Sequence, residues 1–291
     1  VSYKIAQITS IEEMRQHVGE VKRGGNRIAF VPTMGYLHEG HMSLVDRAIS
    51  LAEHVIVSIY VNSLQFGPHE DLESYPRNID KDIRRLSDRG IGAVFLPSDK
   101  ELYPGGYSTF VAVEGLTQSL CGRSRPTHFR GVTTVVTKLF NVVAPDYAVF
   151  GEKDYQQLAI IRRMVIDLNM DVDIISSPII REDDGLAMSS RNACLSEEER
   201  ESAPEVYGAL CAARTRFRSG ERSAEALLSS VKEEIESNGV LKLDYIELVD
   251  PVSLGNLAEN EQLTLPDDVH LAIAVYVGKT RLIDNMRLSE P

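Results

Sequence analysis

Two histidines three residues apart carry the strongest chemical signal in the chain. They lie in Pro32-Thr-Met-Gly-Tyr-Leu-His38-Glu-Gly-His41, after the apolar run Ile28–Val31 and before the stretch Met42–Ala52. The first run has the character of a buried strand, and the second places apolar residues at helical spacing. His38 and His41 therefore sit where a strand hands over to a helix, and at i, i+3 their imidazoles share a face. Gly40 between them lets a ligand approach the backbone. The free amides and positive end of the helix favour an anion there. Neutral imidazoles with donor N–H groups in such a place suit the phosphates of a nucleoside triphosphate, held while a carboxylate attacks the α-phosphorus.

A His-x-x-His pair is also half of a zinc site, and isolated histidines often cap helices or face water. No third ligand stands at an obvious spacing here. The Pro-Thr-Met-Gly approach has the grammar of a strand–loop–helix binding turn instead. The motif points to nucleotidyl transfer without naming a substrate.

Other polar residues stand at strand ends. The run Val55–Val61 is followed by Asn62-Ser-Leu-Gln65, where Gln65 is either a solvated loop amide or a hydrogen-bond partner for a small polar substrate. The run Tyr147–Phe150 ends in Gly151-Glu-Lys-Asp-Tyr-Gln-Gln157. There Gly151 allows close approach, Lys153 can reach a phosphate, Asp154 can cap a helix or accept from a ribose, and Gln157 lies one turn on. In Asp184-Gly-Leu-Ala-Met-Ser-Ser-Arg-Asn192, Ser189 and Ser190 offer hydroxyls and Arg191 a fixed charge with several donors. The cation-rich segment Cys121–Gly131, with Arg123, His128 and Arg130, reads as a substrate loop or an oligomer contact. ATP chemistry calls for Mg²⁺; Asp80 and Asp82 are its acidic candidates, although each also reads as a first-turn acid favoured by a helix dipole.

These residues must be positioned by an alternation of strands and helices. Strands are expected at Ile28–Val31, Val55–Val61, Ala93–Leu96, Thr109–Val113, Tyr147–Phe150 and Asp173–Ile175. Helices are expected at His41–Ala52, Ile79–Arg89, Val132–Val143 and Tyr155–Leu168. Nearly continuous apolar strands are those of a parallel sheet covered on both faces. The fold class is α/β: a doubly wound, Rossmann-like parallel sheet over residues 1–180, followed by a smaller α+β domain over 181–291. The second domain is expected to hold helices at about 197–218 and 223–237 and strands at Lys242–Val249 and His270–Val277. Its position after the polar turn Arg181–Gly185 makes it a candidate lid that carries Ser189–Arg191.

The composition narrows the class further. Of 291 residues, 43% are hydrophobic and 25% charged, as in a globular protein of one or two domains. No apolar run reaches membrane-spanning length, and no signal peptide is evident at Val1-Ser-Tyr. Three widely spaced cysteines fit a reducing cytoplasm. A net charge of −12 without a basic face disfavours nucleic acid as partner.

Taken in order, the segments resemble one family, the pantoate–β-alanine ligases (AMP-forming). The likeness rests on Pro32–Gly35 with His38–His41, Asn62, Gln65-Phe66, Tyr75-Pro-Arg77 with Asp82, Arg125-Pro126 with His128–Gly131, Gly151–Gln157 and Asp184–Asn192. It spans about residues 3–285. His-x-Gly-His is shared with other nucleotidyl transferases, whereas Lys-Asp-Tyr-Gln-Gln and Met-Ser-Ser-Arg-Asn together are far more specific. Ser63 and Thr127 stand where proline and glycine are common. The resemblance implies a two-step reaction. (R)-pantoate and ATP give pantoyl adenylate and pyrophosphate, and β-alanine then displaces AMP to give pantothenate. It implies that Gln65 and Gln157 hold pantoate and that His38, His41, Lys153, Ser189, Ser190 and Arg191 contact phosphates. Asp154 and Gly151 then face the ribose, Met34, Gly40, Ile180 and Met188 line the ATP site, and Asp82 is the Mg²⁺-associated acid. It also implies a homodimer built through the N-terminal domain. A transferase that stops at an adenylylated product would need more cations for a phosphorylated acceptor. A non-catalytic nucleotide-binding regulator would have little use for two glutamines at a second-substrate pocket.

Overall fold

The apolar strands lie side by side in one parallel sheet whose alternate residues feed two separate cores. A computed structural model describes residues 5–68, 70–258 and 264–289. The chain forms two compact units. The first comprises residues 1–113, 125–152 and 157–178, and the second 114–124, 153–156 and 179–291.

In the first unit the strands are β1 (Ala6–Ile8), β2 (Ile28–Thr33), β3 (His54–Ile59), β4 (Ala93–Phe95), β5 (Tyr147–Gly151) and β6 (Asp173–Ser177). They run in the order β1-β4-β3-β2-β5-β6, every neighbour parallel. Side chains alternate across a strand. Ile28 and Phe30 of β2 pack with Met14 and Val18 of helix Ile11–Arg23, with helix His128–Val143 and with helix Tyr155–Asp167. Ala29 and Val31 pack on the other face with Met42, Val45 and Ala48 of helix Glu39–Ile49 and with Leu86 of helix Ile79–Ser87. The strand order reverses between β2 and β5. In such sheets ligands bind beyond the carboxyl ends of the strands at that point. The segments that leave β2 and β5 there are the His38–His41 loop and Gly151-Glu-Lys.

In the second unit β7 (Leu241–Val249), β8 (His270–Val277) and β9 (Thr280–Arg287) form an antiparallel sheet in that order. One face buries Leu271, Ile273, Val275 and Val277 against Leu210, Phe217, Leu227 and Val231 of helices Glu205–Arg218 and Ala224–Ser237. The opposite face is polar and grips the short segments 114–124 and 153–156. Tyr245 Oη lies 3.2 Å from Cys121 Sγ, Arg123 pairs with Glu247 at 2.5 Å, and Tyr155 stacks on His270 with centroids 3.7 Å apart.

Several expectations need correction. Thr109–Val113 is not a strand; its Val111 N–H donates to Thr134 Oγ1 at 3.0 Å, and Val111 O accepts from Thr133 Oγ1 at 2.7 Å. The helix expected over 197–218 breaks into Glu197–Ser202 and Glu205–Arg218, because Pro204 lacks an N–H and cannot sit in a helix interior. Strands β1 and β9 and helix Ile11–Arg23 come in addition to the elements expected. No helix among the described residues is long and apolar enough to cross a membrane.

At the start of β3 a histidine pair makes a testable prediction. His17 Nε2 and His54 Nε2 lie 2.8 Å apart, so one donates and the other accepts. A Cβ on Gly92 would come within 2.2 Å of the His54 ring, so the ring is pinned. Burial lowers both pKa values; Glu20 partly offsets the shift at His17, and the neighbouring His17 charge adds to it at His54. A histidine with a depressed folded pKa contributes stability above its ordinary value of 6.5 and loses it as pH falls through the folded value. The melting temperature should therefore fall between roughly pH 7.5 and pH 5.5, and His54→Gln should flatten that dependence. An unchanged slope in the variant would show that the pair is not its source.

Candidate active site

The loop that leaves β2 adopts a backbone that L-residues avoid. Gly35 has φ 86° and Tyr36 has φ 52°. At Gly35 a Cβ would lie 2.8 Å from Ile59 Cγ2 and 3.2 Å from Asp82 Oδ2, so glycine is required on both counts. The turn is held by one carboxylate. Asp82 Oδ2 accepts from Tyr36 N–H at 2.8 Å, and Oδ1 accepts from Leu37 N–H at 2.7 Å. Thr33 Oγ1 donates to Ser58 O at 2.8 Å and accepts from Gly35 N–H at 3.2 Å. Asp82 is 2% exposed. Burial raises its pKa, and the two amides work against that rise by stabilising the charge.

That turn delivers His38 to the N-cap of helix Glu39–Ile49. His38 N–H donates to His41 Nδ1 at 3.3 Å, and the two rings lie 4.0 Å apart at 49°. A backbone N–H can only donate, so Nδ1 accepts and the proton of the neutral His41 imidazole sits on Nε2. His41 is thus fixed as a donor, on the first turn of a helix, at the point where the strand order reverses.

Gln65 is no solvated loop amide. It closes a 3₁₀ turn, Ser63–Gln65, and is buried. Its Oε1 accepts from Asn62 Nδ2 at 3.1 Å, and its Nε2 lies 3.1 Å from Met34 Sδ. Asn62 Nδ2 also donates to Gly131 O at 3.1 Å, and Asn62 Oδ1 accepts from Tyr103 Oη at 2.7 Å. The Gln65 carbonyl lies 2.9 Å from His128 Nδ1 and accepts from Arg125 Nη2 at 3.3 Å, while Arg125 pairs with Glu70. Arg125 and His128, left open between two roles by the sequence, both grip the Gln65 backbone. Gln157 is half-buried on helix Tyr155–Asp167. Its neighbour Gln156 is buried, and its Nε2 donates to Leu116 O and Ser119 O, each at 2.8 Å. Gly151 closes β5; a Cβ there would meet only Leu44 Cδ2, at an ordinary 3.8 Å, so packing does not demand glycine.

In the second unit Ile180 and Met188 pair across a hairpin, Met188 N–H donating to Ile180 O at 2.9 Å. Its tip turns at Gly185, φ 93°, where a Cβ would meet Tyr207 Cδ1 at 2.3 Å. Arg181 is held by Asp284 of β9 at 2.6 and 2.9 Å. Ser189 then caps a 3₁₀ turn, Ser190–Cys194, by accepting Arg191 N–H on Oγ at 3.3 Å, which leaves its own O–H to donate. Ser190 is buried and Arg191 half-buried. Lys153 is half-buried and Asp154 exposed, just before helix Tyr155–Asp167. The first unit thus brings together Met34, His38, Gly40 and His41 on one loop and helix start, with Gln65 against Met34. The second holds Lys153 and the Ile180–Arg191 hairpin.

No group of three or more His, Cys, Asp or Glu able to hold a metal occurs among the described residues. Asp82, expected as a Mg²⁺-associated acid, has a role the sequence did not disclose. Both of its oxygens accept backbone amides in a buried position, which makes it a loop anchor. Sequence reasoning missed this because the partners lie 45 and 46 residues away.

Asp82→Ala should leave two buried amide donors without an acceptor. A loss of about 2 kcal/mol or more is expected in denaturant unfolding. Asp82→Asn keeps the shape but presents an NH₂ to one amide. It should fold and should slow turnover by roughly tenfold, because the turn that sets the His38–His41 pair is loosened. Full activity in Asp82→Asn would show that the histidines do not depend on this turn.

The chain matches the sequence profile of the family described as pantoate-beta-alanine ligase over residues 6–287. It is 50% identical over 278 residues to a pantothenate synthetase of Syntrophobacter fumaroxidans, covering 96% of each chain. It is 51% identical over 279 residues to that of Heliobacterium modesticaldum, covering 96% of this chain and 98% of the other. The crystal structure of pantothenate synthetase from Thermus thermophilus superposes with a TM-score of 0.92 at 41% identity, covering 98% of this chain and all of that one. A pantoate-beta-alanine ligase from Francisella tularensis, crystallised with β-γ ATP and β-alanine, superposes with a TM-score of 0.81 at 32% identity over 99% of each chain.

Proposed function

The chain belongs to the pantoate–β-alanine ligase family, a ligase that joins pantoate and β-alanine into pantothenate, and we propose how its residues divide that reaction. The substrate is ATP, carried as its Mg²⁺ complex. The carboxylate oxygen of (R)-pantoate attacks the α-phosphorus; the new P–O bond forms as the bond to pyrophosphate breaks. The neutral amine of β-alanine then attacks the pantoyl carbonyl carbon. The C–N bond forms, the bond to AMP breaks, and the amine gives up a proton.

No side-chain nucleophile is needed, because the attacking groups belong to the substrates. The protein's task is positioning and stabilisation of charge. His38 and His41 hold phosphate oxygens. The observation that carries this reading is the His38 N–H to His41 Nδ1 bond, which leaves Nε2–H as a preorganised donor at a helix N-terminus. Lys153, Ser189, Ser190 and Arg191 supply further cations and donors to the phosphates. Gln65 and Gln157 orient pantoate through their amides, and Asn62 and Met34 already set the Gln65 amide. Gly151, whose Cβ space packing leaves open, and Asp154 take the ribose; Met34, Gly40, Ile180 and Met188 border the nucleotide. The reading assigns donors of both units to one ATP, with residues 181–291 acting as a lid that excludes water from the adenylate. The reaction belongs to the cytoplasm, where ATP is made, and the working form is a homodimer built through the first unit.

Pyrophosphate release in a single turnover with pantoate and ATP, before β-alanine is added, tests the order of steps. His41→Ala should lower that rate by roughly 10²–10³, the range for loss of a preorganised donor. An unchanged rate in folded protein would remove His41 from the chemistry. Arg191→Ala should slow the same step far more than it weakens pantoate binding. The reverse pattern would place Arg191 in the acid-substrate pocket.

A further inference from the structure

Within the second unit, adjacent residues of β9 hold the two segments that carry the phosphate-directed groups. Adjacent strand residues face opposite ways. Asp284 takes Arg181 at 2.6 and 2.9 Å, and Arg181 Nη1 also donates to Gly185 O at 3.1 Å, so Asp284 fixes the hairpin that leads into Ser189–Arg191. Asn285 donates through Nδ2 to the Lys153 carbonyl at 2.9 Å. A carbonyl can only accept, which settles the amide's orientation and turns Oδ1 to His270 Nε2, 2.9 Å away. His270 Nε2 therefore carries the proton and donates. Asn285 pairs with Ala272 on β8, two residues beyond His270, so the amide and the imidazole share one face of the sheet. The His270 ring lies flat on Tyr155, at 3.7 Å and 15°, and Tyr155 Oη donates to Pro251 O at 2.7 Å. Asp284, Asn285 and His270 are all buried. A fold needing only a core would not keep three polar side chains inside a three-stranded sheet, where each must find a partner.

We propose that Asn285, oriented by His270, is a positioning residue that sets Lys153 for adenylate formation, and that Asp284 beside it sets the hairpin bearing Ser189–Arg191. Strand β9 then fixes the spacing of the two cationic segments. The inference rests on the phosphate role assigned to Lys153 above. Neither Asn285 nor His270 needs to touch substrate; each acts through the Lys153 backbone.

Asn285→Asp is the decisive variant. It keeps the shape and still accepts from His270, but turns an oxygen toward the Lys153 carbonyl. Single-turnover pyrophosphate release should fall by about tenfold to a hundredfold, the scale for a catalytic group displaced by around 1 Å. The KM for pantoate should stay within about twofold, since the amides assigned to pantoate are those of Gln65 and Gln157, not Lys153. A merely structural residue would lower the folded fraction and leave the rate of the folded enzyme intact. Lys153→Ala should also be slow, and the double variant no slower than Lys153→Ala alone, because Asn285 acts only through Lys153. If Lys153→Ala is slow but Asn285→Asp runs at the normal rate, or if the two effects multiply, the positioning role is overturned while the phosphate role stands. If Lys153→Ala itself runs normally, the phosphate role fails and this inference with it. Should Asn285→Asp not fold, His270→Ala removes the orienting donor and the ring on Tyr155; the same loss is expected, and a normal rate overturns the proposal.

Discussion

The Asp82 carboxylate is the constraint on which the site at the end of β2 depends. Two successive residues, Gly35 and Tyr36, are left-handed. For Tyr36 that conformation is unfavourable, because its Cβ crowds the backbone. Asp82 offsets the cost by taking the Tyr36 and Leu37 amides at 2.8 and 2.7 Å. Only then does the chain turn sharply enough to place His38 at the helix N-cap, His41 one turn on, and the His38 amide on His41 Nδ1. The proton on His41 Nε2 is therefore traceable to a buried acid on a different helix.

The same logic recurs across both units. Several buried polar side chains in this protein hold backbone. Asn62 reaches Gly131 O, Gln156 reaches Leu116 O and Ser119 O, and Asn285 reaches Lys153 O. Each bond is modest in net energy, yet leaving either partner unpaired in the interior is costly. Such bonds therefore specify where a loop sits more than they stabilise the fold. The small sheet shows the division plainly. One face is apolar and packs on two helices, as any antiparallel sheet with a core does. The other carries Tyr245, Glu247, His270 and Asn285, and holds pieces of chain drawn from far away in sequence.

How much of this the sequence discloses follows from range. Strands β2, β3 and β5 are legible because both faces are buried, giving apolar runs such as Val55–Ile59. The His38–His41 turn is legible because its glycines, histidines and helix start are contiguous. Strand β9 escapes because Asp284 and Asn285 interrupt its apolar pattern at the positions where it grips other segments. Strand β1 has three residues, too few for periodicity. Helix Ile11–Arg23 does show helical spacing at Met14, Val18 and Val21 behind a Ser10 cap, so its signal is present in the chain. The supports of the site are illegible for a simpler reason. Asp82 and Tyr36, Gln65 and His128, and Lys153 and Asn285 are 46, 63 and 132 residues apart, and nothing local marks them as partners.

At Gly131 a Cβ would stand 2.4 Å from Leu64 O and 2.6 Å from Gln65 Cα. Helix His128–Val143 and the Ser63–Gln65 turn thus meet backbone to backbone, with no side chain between them to take up slack. Variation at this place is one-sided. The Gln65 side chain can be exchanged at the cost of its contacts with Asn62 and Met34, but the peptide that carries it is clamped by the Gly131 contact, Arg125 and His128. Any change of side chain at this position must therefore proceed on a fixed mount, since the mount itself has no neighbouring position to move to.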